Sequence, residues 1–318
     1  GIETDHECFE LAEAQEKLEA GMKIAIREGS AAKNFDALIP LMDEAPERLM
    51  FCSDDKHPDS LVEGHIDALV RRALDRGYDR YDVLHAACVH PVEHYDLDVG
   101  LLREGDPADF IVVDDPDALN VQRTYVEGEL VAEGGETTIE RVSSDVVNQF
   151  AAEPVEPAAF RVPAEGEQMR VITAVDNQLV TGEEIVETPI EEGTAVADPD
   201  RDLLKLAVVN RYTEAADPAV AFIRGFGLDE GALASSVAHD SHNVVAVGAS
   251  DEALARAANA VIRQEGGIGA VAEGTHVLPL PIAGLVSDEP HDVVARRYTR
   301  LSHFVQDELG SPMDAPFM

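Results

Sequence analysis

The stretch Leu49-Met50-Phe51-Cys52-Ser53-Asp54-Asp55-Lys56-His57-Pro58 decides how the first part of this chain is read. Apolar and small residues run into two adjacent carboxylates, followed by a Lys, a His and a Pro. A short apolar run that ends in charge reads as a buried strand surfacing abruptly. In a β/α barrel the chemistry-bearing groups sit where strands end, at the C-terminal face. Asp54 is the first charge after the run, so the pattern puts it at a strand tip. A carboxylate held there can accept a proton from a metal-bound water or ligate the metal itself. The plainer reading makes Asp54 and Asp55 caps of the next helix.

The same punctuation recurs upstream. Thr4-Asp5-His6-Glu7 precedes a helical pattern over residues 8–21, with Leu11, Ala14 and Leu18 inward and Thr4 or Asp5 available as cap. Residues 22–27 read as a strand, with Glu28-Gly29-Ser30 as its polar tip. Helices are predicted over 31–42, 64–75 and 79–89, and a strand over 50–53. Strand and helix in alternation predict a parallel β/α architecture over residues 1–89. From residue 90 to 142 the texture is that of a small β module. Strands are predicted over 110–113, 121–126 and 129–132, with a tight turn at Glu127-Gly128. A polar, Pro-containing linker is predicted over 143–165. Residues 166–318 read as an α+β domain with strands over 169–175, 204–210, 219–224, 232–238, 244–248, 268–272 and 276–280, and helices over 251–264 and 293–309.

Composition narrows the function classes. Of 318 residues, 45% are hydrophobic, enough for a large core. No apolar run reaches the length of a membrane span, so no membrane partner is expected. Cys8, Cys52 and Cys88 lie far apart without a CxxC spacing, which fits reduced thiols in a cytoplasmic protein. Acidic residues number 63 against 24 basic ones, a formal net charge of −39 spread along the whole chain. Even spreading points to a surface adapted to a salt-rich cytoplasm, such as a halophilic archaeon's, because salt screens the self-repulsion. Without a basic stripe, nucleic acid is excluded as a partner.

His6, then Arg27-Glu28-Gly29-Ser30, then Asp54-Asp55 stand at successive strand ends, the order expected at the mouth of a metal hydrolase barrel. Singly, each has a plainer reading: His6 as a helix-start residue, Glu28 and Ser30 as turn and cap, His57 as a solvated side chain. Together with Gly100–Asp114, Arg224-Gly225-Phe226-Gly227, His239-Asp240-Ser241-His242-Asn243 and Leu278-Pro279-Leu280-Pro281, they resemble the amidohydrolase superfamily and, within it, the adenine deaminases. The resemblance implies the C-terminal part of a (β/α)8 barrel, a small β-sandwich over 90–142 and a C-terminal α+β domain. It implies deamination of adenine to hypoxanthine and ammonia at a dinuclear manganese or iron centre, in a homo-oligomer such as a dimer. It makes His6 and Asp54 metal ligands, Asp54, Glu28 and His57 catalytic, and Arg27, Ser30, Asp55, His239, Asp240 and His242 substrate-binding. The family's His-x-His, bridging Glu and another His are expected upstream of Gly1. Two other readings stand beside this one: a non-catalytic binding or assembly module, and a different amidohydrolase such as a cyclic amide hydrolase. The His239–His242 loop is open between a second metal site, a pocket or subunit contact, and a hydrogen-bonded turn.

Overall fold

The computed structural model describes residues 1–318 except 31, 32, 117, 143, 144, 179, 215, 216, 240 and 318. The chain divides into two compact units, Gly1–Ser144 and Asp145–Met318.

In the first unit, β1 (Thr4–Asp5), β2 (Lys23–Arg27) and β3 (Leu49–Cys52) form a parallel sheet in that order. Ile24 pairs with Leu49 and Arg27 with Cys52, so β2 and β3 end side by side, while β1 ends opposite Ile24. Between them run α1 (Leu11–Glu19) and α2 (Phe35–Leu38), and after β3 come α3 (Pro58–Leu61), α4 (Ile66–Asp75), α5 (Arg80–Leu84) and α6 (His90–Tyr95). Ile24, Ile26, Leu49 and Phe51 bury against Phe35, Leu38, Leu41, Leu69, Val70 and Ala73. This core anchors the strands and leaves their polar tips at one edge. Three strands do not close a barrel, and the parallel β/α pattern is what the described residues contain.

Several local expectations change. Thr4 and Asp5 form β1 and do not cap α1, whose N-cap is Glu10 without a side-chain bond. Of the helix expected over 31–42, residues 31 and 32 lie outside the described residues, and the described part holds α2 followed by a 3-10 turn at Ile39–Asp43, because Pro40 tightens the winding. The helix expected to end at 89 passes through a π-turn at His85–Val89 and continues as α6, where Pro91 sits in the tolerated first turn. His90 Nδ1 lies 2.8 Å from the Leu49 carbonyl, so the change of texture falls after α6 and not at residue 90.

The β module is a single antiparallel layer of β4 (Phe110–Val113), β5 (Val121–Val126), β6 (Glu129–Glu133) and β7 (Glu136–Thr137). Among the described residues it is one sheet and not two packed sheets. Glu127 and Gly128 both take positive φ, the conformation a two-residue hairpin turn needs. Asp109 ties the module together: it accepts from the Gly100 amide at 2.8 Å and the Glu127 amide at 2.7 Å. Gly100 packs so closely that a Cβ would meet the Pro107 carbonyl at 1.9 Å.

The second unit opens with a 3-10 turn at Pro157–Phe160 and β8 (Val162–Pro163). The described part of 143–165 is therefore not a free linker. Phe160 is fully buried, and Asn259 pairs with both backbone groups of Val155. Next come β9 (Gln168–Thr173), β10 (Gly182–Glu187), β11 (Ile190–Glu191), β12 (Thr194–Ala195), β13 (Leu204–Val209), β14 (Ala219–Arg224), β15 (Ala232–Ser235) and β16 (Val244–Gly248). Helix α7 (Asp251–Ile262), β17 (Gly267–Val271), β18 (Thr275–Pro279) and α8 (His291–Asp307) complete it. Eight strands form one sheet in the order β10-β9-β14-β13-β16-β15-β17-β18. Alternation along the strands gives the sheet two apolar faces. Ala207, Ala234 and Ala246 pack with Leu254, Ala258 and Val261 of α7. Leu233, Val247 and Ile268 pack with Tyr298, Leu301 and Val305 of α8.

Candidate functional site

The tips of β1, β2 and β3 converge on one polar cluster. His6 follows β1, Arg27 ends β2, and Asp54 lies two residues past β3. His6 Nε2 stands 3.2 Å from Asp54 Oδ2, and Arg27 Nη1 stands 2.8 Å from the same oxygen. Arg27 is 2% exposed, whereas the Asp54 side chain is 24% exposed and His6 50%, so the cluster is buried beneath and open above. Arg27 also lies 3.9 Å from both Glu7 and Asp55. One guanidinium thus faces three carboxylates. Asp54 takes φ of 49°, a left-handed conformation that Asp tolerates better than most residues and that turns the chain sharply at the strand end.

The surrounding loops hold these tips in place. Asp5 accepts hydrogen bonds from Lys17 Nζ at 2.9 Å and the Glu7 amide at 2.7 Å, shaping the turn that carries His6. Partial burial pushes the Asp5 carboxyl up, but the bonds from Lys17, Glu7 and Cys8 outweigh it and hold the group below the usual carboxylate range. The Ser30 amide donates to the Asp55 carbonyl at 3.1 Å, and Ser30 Oγ accepts from the His57 amide at 2.7 Å and lies 3.0 Å from Ser60 Oγ. His65 Nε2 lies 2.8 Å from Ser53 Oγ, next to Asp54.

Not every expected residue joins the cluster. Glu28 Oε2 pairs with Arg72 Nη1 of α4 at 3.1 Å, and Arg72 in turn stacks 4.0 Å over the Phe35 ring. That pairing gives Glu28 a partner on α4. Burial lowers the pKa of His57 despite the opposing charges of Asp59 and Asp55, which favours its neutral form. Cys52 is pushed up to about 12, mainly by burial and also by Asp54, so it is not a thiolate nucleophile at neutral pH. In the second unit His242 Nδ1 lies 2.6 Å from the Val237 carbonyl, and the His242 amide donates to Ala238 at 2.7 Å. The His239 and His242 rings stand 6.1 Å apart, edge to face. These bonds close the loop as a turn; Asp240 lies outside the described residues.

An imidazole and a carboxylate facing one another are ordinary ligands for a divalent transition metal. His6 and Asp54 fit one edge of such a site by chemistry. By number they do not complete one: no group of three or more His, Cys, Asp or Glu suited to a metal occurs among the described residues. No helix of the described residues is long and apolar enough to cross a membrane.

The amidohydrolase family model matches residues 7–131, and the model for the adenine deaminase C-terminal domain matches residues 178–318. Residues 7–131 are thus similar to amidohydrolases and residues 178–318 to the C-terminal domain of adenine deaminases. The adenine deaminase of Salinibacter ruber (strain DSM 13855 / M31) is 81% identical over 318 residues, all of this chain and 58% of its own length. That of Sulfurovum sp. (strain NBC37-1) is 51% identical over 319 residues, all of this chain and 58% of its length. That of Methanosarcina mazei is 47% identical over 333 residues, all of this chain and 60% of its length. The chain therefore spans about three-fifths of the length of these curated relatives. Arg27 and Asp54 lie within the residues that the amidohydrolase model matches, and His6 stands one residue before the match begins. The His239–His242 turn lies within the residues that the adenine deaminase C-terminal domain model matches.

Two contributors escaped the sequence reading. Asn34 and Arg72 both touch residues at the strand tips, yet each sits in or beside a helical pattern where a polar residue reads as solvent-facing. For Asn34 the available signal was an Asn directly before apolar Phe35, a helix-start position, in place of the helix interior assigned to it.

Proposed function

We propose that the protein to which this chain belongs hydrolyses adenine to hypoxanthine and ammonia, acting on a small-molecule substrate in the cytoplasm as a homo-oligomer such as a dimer. The observation that carries the reading is the cluster at the strand ends: a partly open carboxylate, Asp54, 3.2 Å from His6 and 2.8 Å from Arg27. Identity with adenine deaminases along all of this chain supports it. The first unit is read as the C-terminal part of a (β/α)8 barrel, with the β4–β7 sheet as one layer of a sandwich.

His6 and Asp54 would hold one edge of the divalent metal that an amidohydrolase implies, manganese or iron, with further donors needed to complete a dinuclear centre. Bound there, such a metal supplies a water of lowered pKa as nucleophile. Asp54 is the base: it takes the proton of the attacking water and returns it to the departing amine. Arg27 fixes the carboxylate from below, leaving its exposed side toward substrate. Ser30 and Asp55 border the substrate, while Glu28 is assigned to the Arg72 pair because of the bond it makes, and the backbone amide of His57 holds the loop through Ser30 Oγ.

The experiment assays the complete protein for ammonia release from adenine and for ring opening of a cyclic amide, each against a control without protein. Ammonia from adenine without ring opening of the amide upholds the reading. Ring opening of the cyclic amide instead moves the protein to another amidohydrolase activity, and neither reaction makes it a non-catalytic module.

A further inference from the structure

The three strand tips are joined by one side chain that the proposed chemistry does not use. Asn34 is 3% exposed. Its Oδ1 accepts from the Arg27 amide at 2.7 Å, and its own amide donates to the Arg27 carbonyl at 3.0 Å. From the other end of the same carboxamide, Nδ2 donates to the Cys8 carbonyl at 3.0 Å and the His6 carbonyl at 3.4 Å. Asn34 thus pins the backbone of the β1 tip to the backbone of the β2 tip. Arg27, so pinned, carries the link to the β3 tip through Asp54.

We propose that Asn34 is a positioning residue that sets the separation of His6 and Asp54, acting through the His6 and Cys8 carbonyls on one side and Arg27 on the other. This rests on the reading of His6 and Asp54 as metal donors. The chemistry demands a carboxamide. It must accept from one amide and donate to two carbonyls at once, which only Asn or Gln does at neutral pH, and Gln is a methylene too long for the same reach. An Asp in its place presents oxygen to both carbonyls. Small displacements of a reacting group cost large factors in rate, so a tether of this kind acts on turnover more than on substrate affinity.

The test uses the complete protein loaded with Co2+, read by its d–d absorption, together with kcat and KM for adenine. Asn34→Ala and Asn34→Asp are compared with Leu38→Ala, a cavity in the same core that leaves the Asn34 carboxamide in place. The expected result is an altered Co2+ spectrum and a kcat lowered about tenfold or more in both Asn34 variants, with KM changed less than about threefold. Leu38→Ala should lower the melting temperature while leaving the spectrum and kcat near wild type. An unchanged spectrum in Asn34→Ala overturns the proposal, and so does an equal spectral change in Leu38→Ala. If the wild-type protein itself yields no protein-bound Co2+ spectrum, the metal reading of His6 and Asp54 fails, which is a separate result.

Discussion

Arg27 Nη1 lies 2.8 Å from Asp54 Oδ2, a buried cation on β2 holding a partly exposed carboxylate on the neighbouring strand end. The pairing gives Asp54 a fixed orientation with one face free. It follows that shape and charge at residue 54 can be separated by mutation. Asp54→Asn keeps the shape and removes the base. Adenine turnover by the complete protein should fall by ~10²–10⁴-fold. Near-normal ammonia release from that variant would sink the assignment and turn attention to Asp55.

Removing the other partner has a different signature. Arg27→Met leaves Asp54, Glu7 and Asp55 without their shared cation. Breaking a fully buried pair costs ~3–5 kcal/mol, and the 24% exposure of Asp54 lowers this to about 2 kcal/mol. Chemical denaturation of the first unit should show the loss. A variant as stable as wild type means that water replaces the guanidinium without cost.

The metal donors make a third case. With His6 and Asp54 as the converging pair, this 318-residue chain should hold Mn2+ weakly, because catalytic sites ordinarily draw three or more protein ligands. Elemental analysis after gel filtration checks it. Two tightly retained ions per chain would contradict the expectation and make His57, in the same unit, the candidate for a further ligand.

Much of this site could be read from sequence because a parallel strand announces itself twice, by a short apolar run and by the polar residues that end it. Ile24–Arg27 and Leu49–Asp54 do both, and the tips came out where expected. What escaped reading were positions whose role depends on a distant partner. Asn34 looks like any helix-start polar residue until the carbonyls of His6 and Cys8 are brought to it. β10 was missed because an edge strand need bury little: Glu183, Glu184 and Glu187 leave it no apolar alternation. The supposed linker was misread for the opposite reason. Its prolines suggested exposed chain, but Pro157 starts a turn that delivers Phe160 into the core.

His57 provides a pH test with a defined sign. Burial lowers its pKa below the ordinary value of about 6.5, so between the two values the unfolded chain binds more protons than the folded one. The stability contributed by a neutral His57 is whole above about pH 6.5 and is lost as the pH falls through the folded-state pKa. His57→Gln cannot be protonated there. Wild type should therefore lose melting temperature more steeply than this variant between pH 7.5 and 5. Parallel slopes would mean that His57 keeps its ordinary pKa in the folded chain.

The net charge sets the last expectation. Sixty-three acidic residues face 24 basic ones, so ion pairs cannot neutralise most carboxylates even where they form, as between Arg72 and Glu28. Folding gathers these charges, and the repulsion it creates depends on screening. At about 0.01 M salt the Debye length is ~30 Å and repulsion sums across each unit; at about 1 M it is ~3 Å and only immediate neighbours interact. The folded state is penalised more than the extended chain at low salt. Melting temperature should rise steeply with potassium chloride up to molar concentrations. Ordinary acidic proteins change little over that range, because their charges are fewer and better paired. A melting series from dilute buffer to several molar salt separates the two, and a flat curve would remove the case for adaptation to a salt-rich cytoplasm.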